Sequence, residues 1–210
     1  KYAHEGHRVG LVTMTRGEAG SLGISKEMSP EQLAAKRSEE LHCAARILNL
    51  KYLNIHQLPD KKLSEIPEQQ IQDIIRKEIE QFSPDALITF HDGGISGHPD
   101  HQTVTRIVLK AVNEIKRPTL LFWFGLSPEQ AEQITSRKLI PLNQYEITHK
   151  IDVSGFLSQK KKAIQCHKSQ VELWRMLENT PAGYDGFASL EYFVQIRPFP
   201  ANKEISAELF

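Results

Sequence analysis

Short apolar runs alternate with amphipathic stretches along most of this chain, and that alternation restricts its fold more than any other feature. Residues 8–14 (RVGLVTM), 50–55, 86–90 (ALITF), 119–124 (TLLFWF) and 145–153 read as strands. Between them apolar side chains recur at helical spacing: Leu33, Leu41, Ala44, Ala45 and Leu48 over 29–48, and Ile71, Ile74, Ile75, Ile79 and Phe82 over 67–82. Val104, Ile107, Val108, Ala111, Val112 and Ile115 keep the same period over 103–115, and a last long helix is predicted from Ser154 to about Leu177. Ser29-Pro30-Glu31-Gln32 and Ser127-Pro128-Glu129-Gln130 each supply a capping serine, a proline at the first helical position and a glutamine at N3. The expectation is an α/β, Rossmann-like fold, a mostly parallel sheet with helices on both faces. No linker, low-complexity segment or charge block divides residues 1–210, so one domain is expected.

The beginning departs from that pattern. Residues 1–7 (KYAHEGH) read as the end of a helix capped by Gly6, and the strand at 8–14 follows as the second strand of a β-α-β unit would. The first strand and most of the first helix of that unit have no counterpart, and the expectation is a domain truncated at its N-terminus.

The 26 basic and 26 acidic residues balance, which speaks against nucleic acid as a partner, because binders of polyanions carry a basic excess. No run approaches the roughly 18 apolar residues of a membrane span. Cys43 and Cys166 lie far apart in predicted helices and make no disulfide framework, so both are expected to be reduced and buried, in a cytoplasmic protein.

Chemistry concentrates in Gly97-His98-Pro99-Asp100-His101, directly behind the 86–90 strand. Neutral imidazole is a common metal ligand and a usual general acid or base, so the cluster suggests metal-assisted hydrolysis. Gly93, Gly94 and Gly97 let the loop turn tightly, and Pro99 suits a first helical turn. His98 and His101 are three apart at a helix start and can face one side, while Asp100 can orient an imidazole or shift its pKa. A mononuclear site needs three protein ligands and an open position, and this loop supplies one or two. Arg16-Gly17-Glu18 follows the 8–14 strand in the same way. Loops leaving one rim of a parallel sheet can share a pocket, so Glu18, Arg16, His98, Asp100 and His101 are expected to converge, with Arg37 on its wall. The bland alternatives are a surface turn at 16–18 and a helix cap with two solvated histidines at 98–101. His42, His56 and His149 are read as structural.

Taken in order, Thr15-Arg16-Gly17-Glu18-Ala19-Gly20, Arg37-Ser38-Glu39-Glu40, the run from Gly93 through His101, Lys162-Ala163 and His167-Lys168-Ser169-Gln170 resemble the motifs of the LmbE-like/PIG-L de-N-acetylases. These are zinc-dependent enzymes that remove acetyl groups from N-acetylglucosaminyl compounds on a Rossmann-like sheet. The resemblance implies a Zn2+ cofactor with His101 as a ligand. It implies that His98 stabilises the tetrahedral oxyanion or protonates the leaving amine, and that Asp100 positions His98. It further implies that Arg37 helps hold the substrate and that Glu18 lies near the sugar. Two departures stand out. Members of the family begin with a strand ending in A-H-P-D-D, which supplies two metal ligands and the general base; His4-Glu5-Gly6-His7 precedes the first strand and is no substitute. Ser96 stands where some relatives carry a tyrosine.

The expected function is therefore amide hydrolysis of a small-molecule N-acetyl sugar conjugate, with homo-oligomerisation left open. The chain as written, short of ligands and base, is expected to be inactive alone. A metal-dependent phosphoesterase is one alternative, for which only Arg16 and Arg37 would add phosphate recognition. A non-catalytic sugar-binding relative is the other.

Overall fold

Ser29 accepts the Gln32 amide while the Gln32 side chain accepts the Ser29 N–H, which closes a capping box and starts α1 (Pro30–Ile47) with proline in its first turn. Ser127 and Gln130 repeat the device at α5 (Pro128–Glu132). The computed structural model describes residues 1–21, 27–115, 117, 119–198 and 204–209. Its other helices are α2 (Glu68–Phe82), the short α3 (Gly94–Gly97), α4 (Pro99–Glu114), α6 (Leu157–Gln165), α7 (Val171–Glu178) and α8 (Gly183–Ala188). The strands are β1 (Gly10–Thr13), β2 (Tyr52–Ile55), β3 (Ala86–Phe90), β4 (Leu120–Gly125), β5 (His149–Asp152) and β6 (Leu190–Arg197).

The chain folds as two compact units, Lys1–Lys61 with Val153–Ala188, and Lys62–Asp152 with Ser189–Phe210. In the first, β1 and β2 pair in parallel from Gly10↔Tyr52 to Thr13↔Ile55. Leu33, Ala34, Ala44 and Ala45 on α1 are buried, as are Ala163, Val171 and Phe187 from the later helices. In the second, the strand order is β3-β4-β6-β5, with β3 parallel to β4 and β6 antiparallel to both its neighbours. Phe122, Leu121, Ile107, Val112, Ile71 and Ile151 are almost wholly buried there.

The α/β class expected from the alternation holds, in a mixed sheet. β6 was not foreseen: LEYFVQIR has no clean two-residue alternation, and its place is set by pairing with β4 and β5. The long helix expected from Ser154 is broken instead. It stops at Gln165, and Ser169 gives both its N–H and its hydroxyl to the Glu40 carboxylate before α7 begins at Val171. Those bonds compete with helical hydrogen bonding and win because the carboxylate is buried.

The cysteines are a correction. Cys43 and Cys166 are joined by a disulfide with Cα atoms 5.9 Å apart, not reduced as expected. α1, which carries Cys43, and α6, which Cys166 caps, meet around Ala44 and Ala163, and local periodicity cannot reveal that meeting.

Phe122 is fully enclosed, so Phe122→Ala should leave a cavity and lower stability by about 3–5 kcal/mol, read from the midpoint of urea unfolding.

Candidate active site

The histidine loop is assembled within the second unit. Phe90 ends β3, and the buried His91 ring then anchors the turn: its Nδ1 faces the Gly93 N–H at 3.0 Å and its Nε2 the Ile95 N–H at 3.1 Å. A Cβ on Gly93 would lie 2.5 Å from the His91 ring. Ile95 sits at φ 64°, a conformation that costs a β-branched residue about 1–3 kcal/mol. Its carbonyl accepts the Ile140 N–H at 2.6 Å, so the strained residue is held from both sides.

His98 is the N-cap of α4, and its Nδ1 accepts the Asp100 N–H at 3.2 Å. That bond places the proton of the neutral ring on Nε2, which is then a donor. The His101 Nδ1 lies 3.0 Å from the Gly94 carbonyl, so it carries a proton and leaves a lone pair on Nε2. The two rings stack 4.7 Å apart, and Phe90 stacks on His101 at 3.9 Å. Burial holds the His101 pKa below its usual range and, with the nearby His98 and Arg137, outweighs the opposing pull of the Gly94 carbonyl and Asp100. One imidazole therefore offers a donor and its neighbour a lone pair. Asp100 is buried and its Oδ1 accepts the Leu63 N–H at 3.1 Å, so it fixes the start of the helix that His98 caps. A cavity of about 600 Å³ in the same unit is lined by Asp92, Pro99, Gln102, Arg106 and Trp123 among others, and not by His98 or His101.

Glu18 and Arg37 come together in the first unit. Glu18 Oε1 accepts the Asp60 N–H at 2.9 Å, while the Asp60 carboxylate takes the Ala19 N–H and the Thr15 hydroxyl. Arg37 donates Nη1 to the Gly17 carbonyl at 2.7 Å and Nη2 to that of Ser21 at 3.0 Å, which ties the loop after β1 to α1. Gly17, at φ +73°, leaves room for the guanidinium: a Cβ there would lie 2.6 Å from Nη1. Burial lowers the Arg37 pKa against the opposing pull of Asp60, Glu40 and Glu18, and the group stays a cation. Glu18 Oε2, Arg16 Nε and Arg37 Nε are buried with no partner among the described residues, polar atoms that a sugar hydroxyl or water can satisfy.

Sequence reasoning missed His91 and Asp60, and gave Glu40 no role beyond its place in the Arg37-Ser38-Glu39-Glu40 motif. His91 could have been found as the first polar residue after β3; nothing local to the Glu40 motif shows that its carboxylate is buried and holds Ser169. His42 is exposed and bonded to the Ser38 carbonyl, and His149 is packed edge-on against Phe122, as their structural reading requires. Burial holds the pKa values of His149 and His167 below the usual range for histidine. Unfolding restores both to that range, so the unfolded chain binds more protons as pH falls below about 6.5. Stability is expected to be full above that pH and to fall as pH drops from about 6.5 towards 5, measured as thermal midpoints; His149→Gln should flatten the decline.

For the Zn2+ that the resemblance implies, His101 is suited: an Nδ1–H bonded to a carbonyl orients a ring for ligation through Nε2. Among the described residues no three His, Cys, Asp or Glu side chains form a metal-holding group, so these residues do not complete a zinc site.

A family model described as PIG-L: GlcNAc-PI de-N-acetylase matches residues 1–112, more than half of the chain. A probable N-acetyl-alpha-D-glucosaminyl L-malate deacetylase 2 of Bacillus anthracis is 29% identical over 163 residues, covering 76% of this chain and 67% of that protein. The N,N'-diacetylchitobiose deacetylase of Pyrococcus horikoshii superposes with a TM-score of 0.70 at 19% identity, over 95% of this chain and 79% of its own. GalB, the 4-carboxy-2-hydroxymuconate hydratase of Pseudomonas putida, gives 0.69 at 16% identity, over 95% and 88%. These structures share the fold, and the hydratase among them means that the fold alone does not select a reaction. The match over residues 1–112 does select a lineage: this chain belongs to the PIG-L family of GlcNAc-PI de-N-acetylases.

Proposed function

We propose that this protein serves the hydrolysis of the acetamide bond of an N-acetylglucosaminyl conjugate, releasing acetate and a free amine. The observation that carries this reading is the pair of adjacent imidazoles with opposite roles at Nε2, a donor on His98 and a lone pair on His101. Family membership and the deacetylase activity in the name of the Bacillus anthracis relative give the reaction its class.

Attack of water on an acetamide builds negative charge on the carbonyl oxygen, and a fixed donor in a low-dielectric site stabilises it. The His98 Nε2–H is assigned that part. Asp100 acts through the start of α4, where its N–H holds the His98 ring. Arg37 and Glu18 are assigned to the sugar conjugate through their remaining polar atoms. Zn2+ is the proposed cofactor, with His101 the one ligand assigned. A small-molecule substrate suits a cytoplasmic enzyme, in which a disulfide acts as a redox-responsive bond more often than as a permanent staple.

The test is release of free amine from N-acetylglucosamine conjugates by the native gene product supplied with Zn2+. Acetate and amine should appear in equal amounts. Sugar binding without amine release would favour the non-catalytic reading, and hydrolysis of phosphate esters instead would favour the phosphoesterase. The 210-residue chain by itself is expected to bind Zn2+ weakly and to release no amine, checked by atomic emission of the purified protein beside the same amine assay.

A further inference from the structure

Arg37, Glu40 and Cys43 follow one another at one-turn spacing on α1, and between them they hold two segments. Arg37 grips the loop after β1, Glu40 takes the Ser169 N–H at 2.7 Å and its hydroxyl at 2.6 Å, and Cys43 is bonded to Cys166. The turn 166–169 is thus fastened twice to one helix, once covalently and once through a buried carboxylate. His167 lies between the two fastenings. Its Nδ1 is buried with no partner among the described residues, on a turn whose Ser169 is bonded to Glu40, one helical turn along α1 from Arg37.

The two fastenings depend on each other. A buried carboxylate is tolerated while its donors are in place, so a turn that swings away leaves Glu40 desolvated and unpaired. Ala44, Ala163 and Ile47 already pack the two helices together, so the disulfide governs the seating of the turn more than the helix contact. Cys43 is only partly buried whereas Cys166 is buried, so attack by a thiol is assigned to the Cys43 sulfur.

We propose that the Cys43–Cys166 disulfide is a redox latch on substrate binding: closed, it seats the 166–169 turn on α1 and presents the unpartnered His167 ring as a further hydrogen-bonding group for the sugar conjugate. This rests on the assignment of Arg37 to substrate binding. Opening requires a cellular thiol as reductant. Its thiolate attacks the Cys43 sulfur and expels Cys166 as a thiolate, which takes a proton. A second thiol then resolves the mixed disulfide, so that two thiols are oxidised to one disulfide and the protein gains two thiols.

The experiment uses the native gene product, oxidised or treated with dithiothreitol, with circular dichroism confirming that it stays folded. Reactive thiols are counted, amide exchange is followed over residues 166–170, and N-acetylglucosamine binding is measured by calorimetry. Reduction should expose two thiols, speed exchange of the Ser169 amide about tenfold or more, and weaken binding about fivefold, the loss of one ordinary hydrogen bond. Reoxidation should reverse all three. Oxidised His167→Ala should bind as weakly as reduced wild type and lose its response to dithiothreitol. If reduction unfolds the protein, Glu40→Gln, which keeps the disulfide but loosens the Ser169 grip, must weaken binding in the same direction. Two exposed thiols with unchanged exchange and unchanged binding would overturn the latch. Binding that is unaffected by Arg37→Ala would instead remove the assignment beneath it, whatever the effect of reduction.

Discussion

Replacing His98 with asparagine should lower turnover about 10²- to 10³-fold while leaving the thermal midpoint nearly unchanged. Asparagine is a good N-cap and can accept the Asp100 N–H that His98 Nδ1 accepts, so α4 keeps its start. What it lacks is a ring Nε2–H at the place where charge develops. His98→Ala removes the cap as well and should add about 1 kcal/mol of destabilisation to the same kinetic loss. The contrast between the variants separates the chemistry of the ring from its structural part, and KM should move little beside kcat because the donor acts in the transition state. A His98→Asn enzyme with near-normal kcat would reduce His98 to a helix cap.

The second large effect is on stability. Cys43→Ser with Cys166→Ser opens a loop spanning 123 residues. On chain-entropy grounds the bond contributes about 4–5 kcal/mol, and measured losses for native disulfides run about 2–5 kcal/mol. The double variant should therefore unfold at markedly lower urea than the oxidised wild type and match the wild type in dithiothreitol. Equal midpoints for variant and oxidised wild type would mean that the bond contributes nothing to the folded state.

Both results concern features that differ in how well the sequence reveals them. The capping boxes at Ser29 and Ser127, the apolar run that forms β3 and the proline that opens α4 are local, and local chemistry predicts them. The GHPDH loop was equally legible, because a histidine at the N-cap and another at the third helical position must lie close together. The tautomers could not be read, since they depend on which backbone groups the His98 and His101 rings meet, nor could the strained Ile95, which is held by His91 and by Ile140 far along the chain. The break at Ser169, the buried state of Glu40 and the Cys43–Cys166 bond share one cause: partners more than 120 residues apart, set by how α1 meets α6. Periodicity reports which face of a helix is apolar, and says nothing of which helix will cover it.

The most direct measurement is amine release from an N-acetylglucosaminyl conjugate by the Zn2+-loaded native gene product, run beside its His98→Asn variant at equal metal content. Proposed hydrolysis through the paired imidazoles predicts equimolar acetate and amine from the wild type and a loss of about 10²-fold or more in the variant, with zinc retained. Equal rates from both proteins, or conjugate bound and returned intact by the wild type, would contradict it.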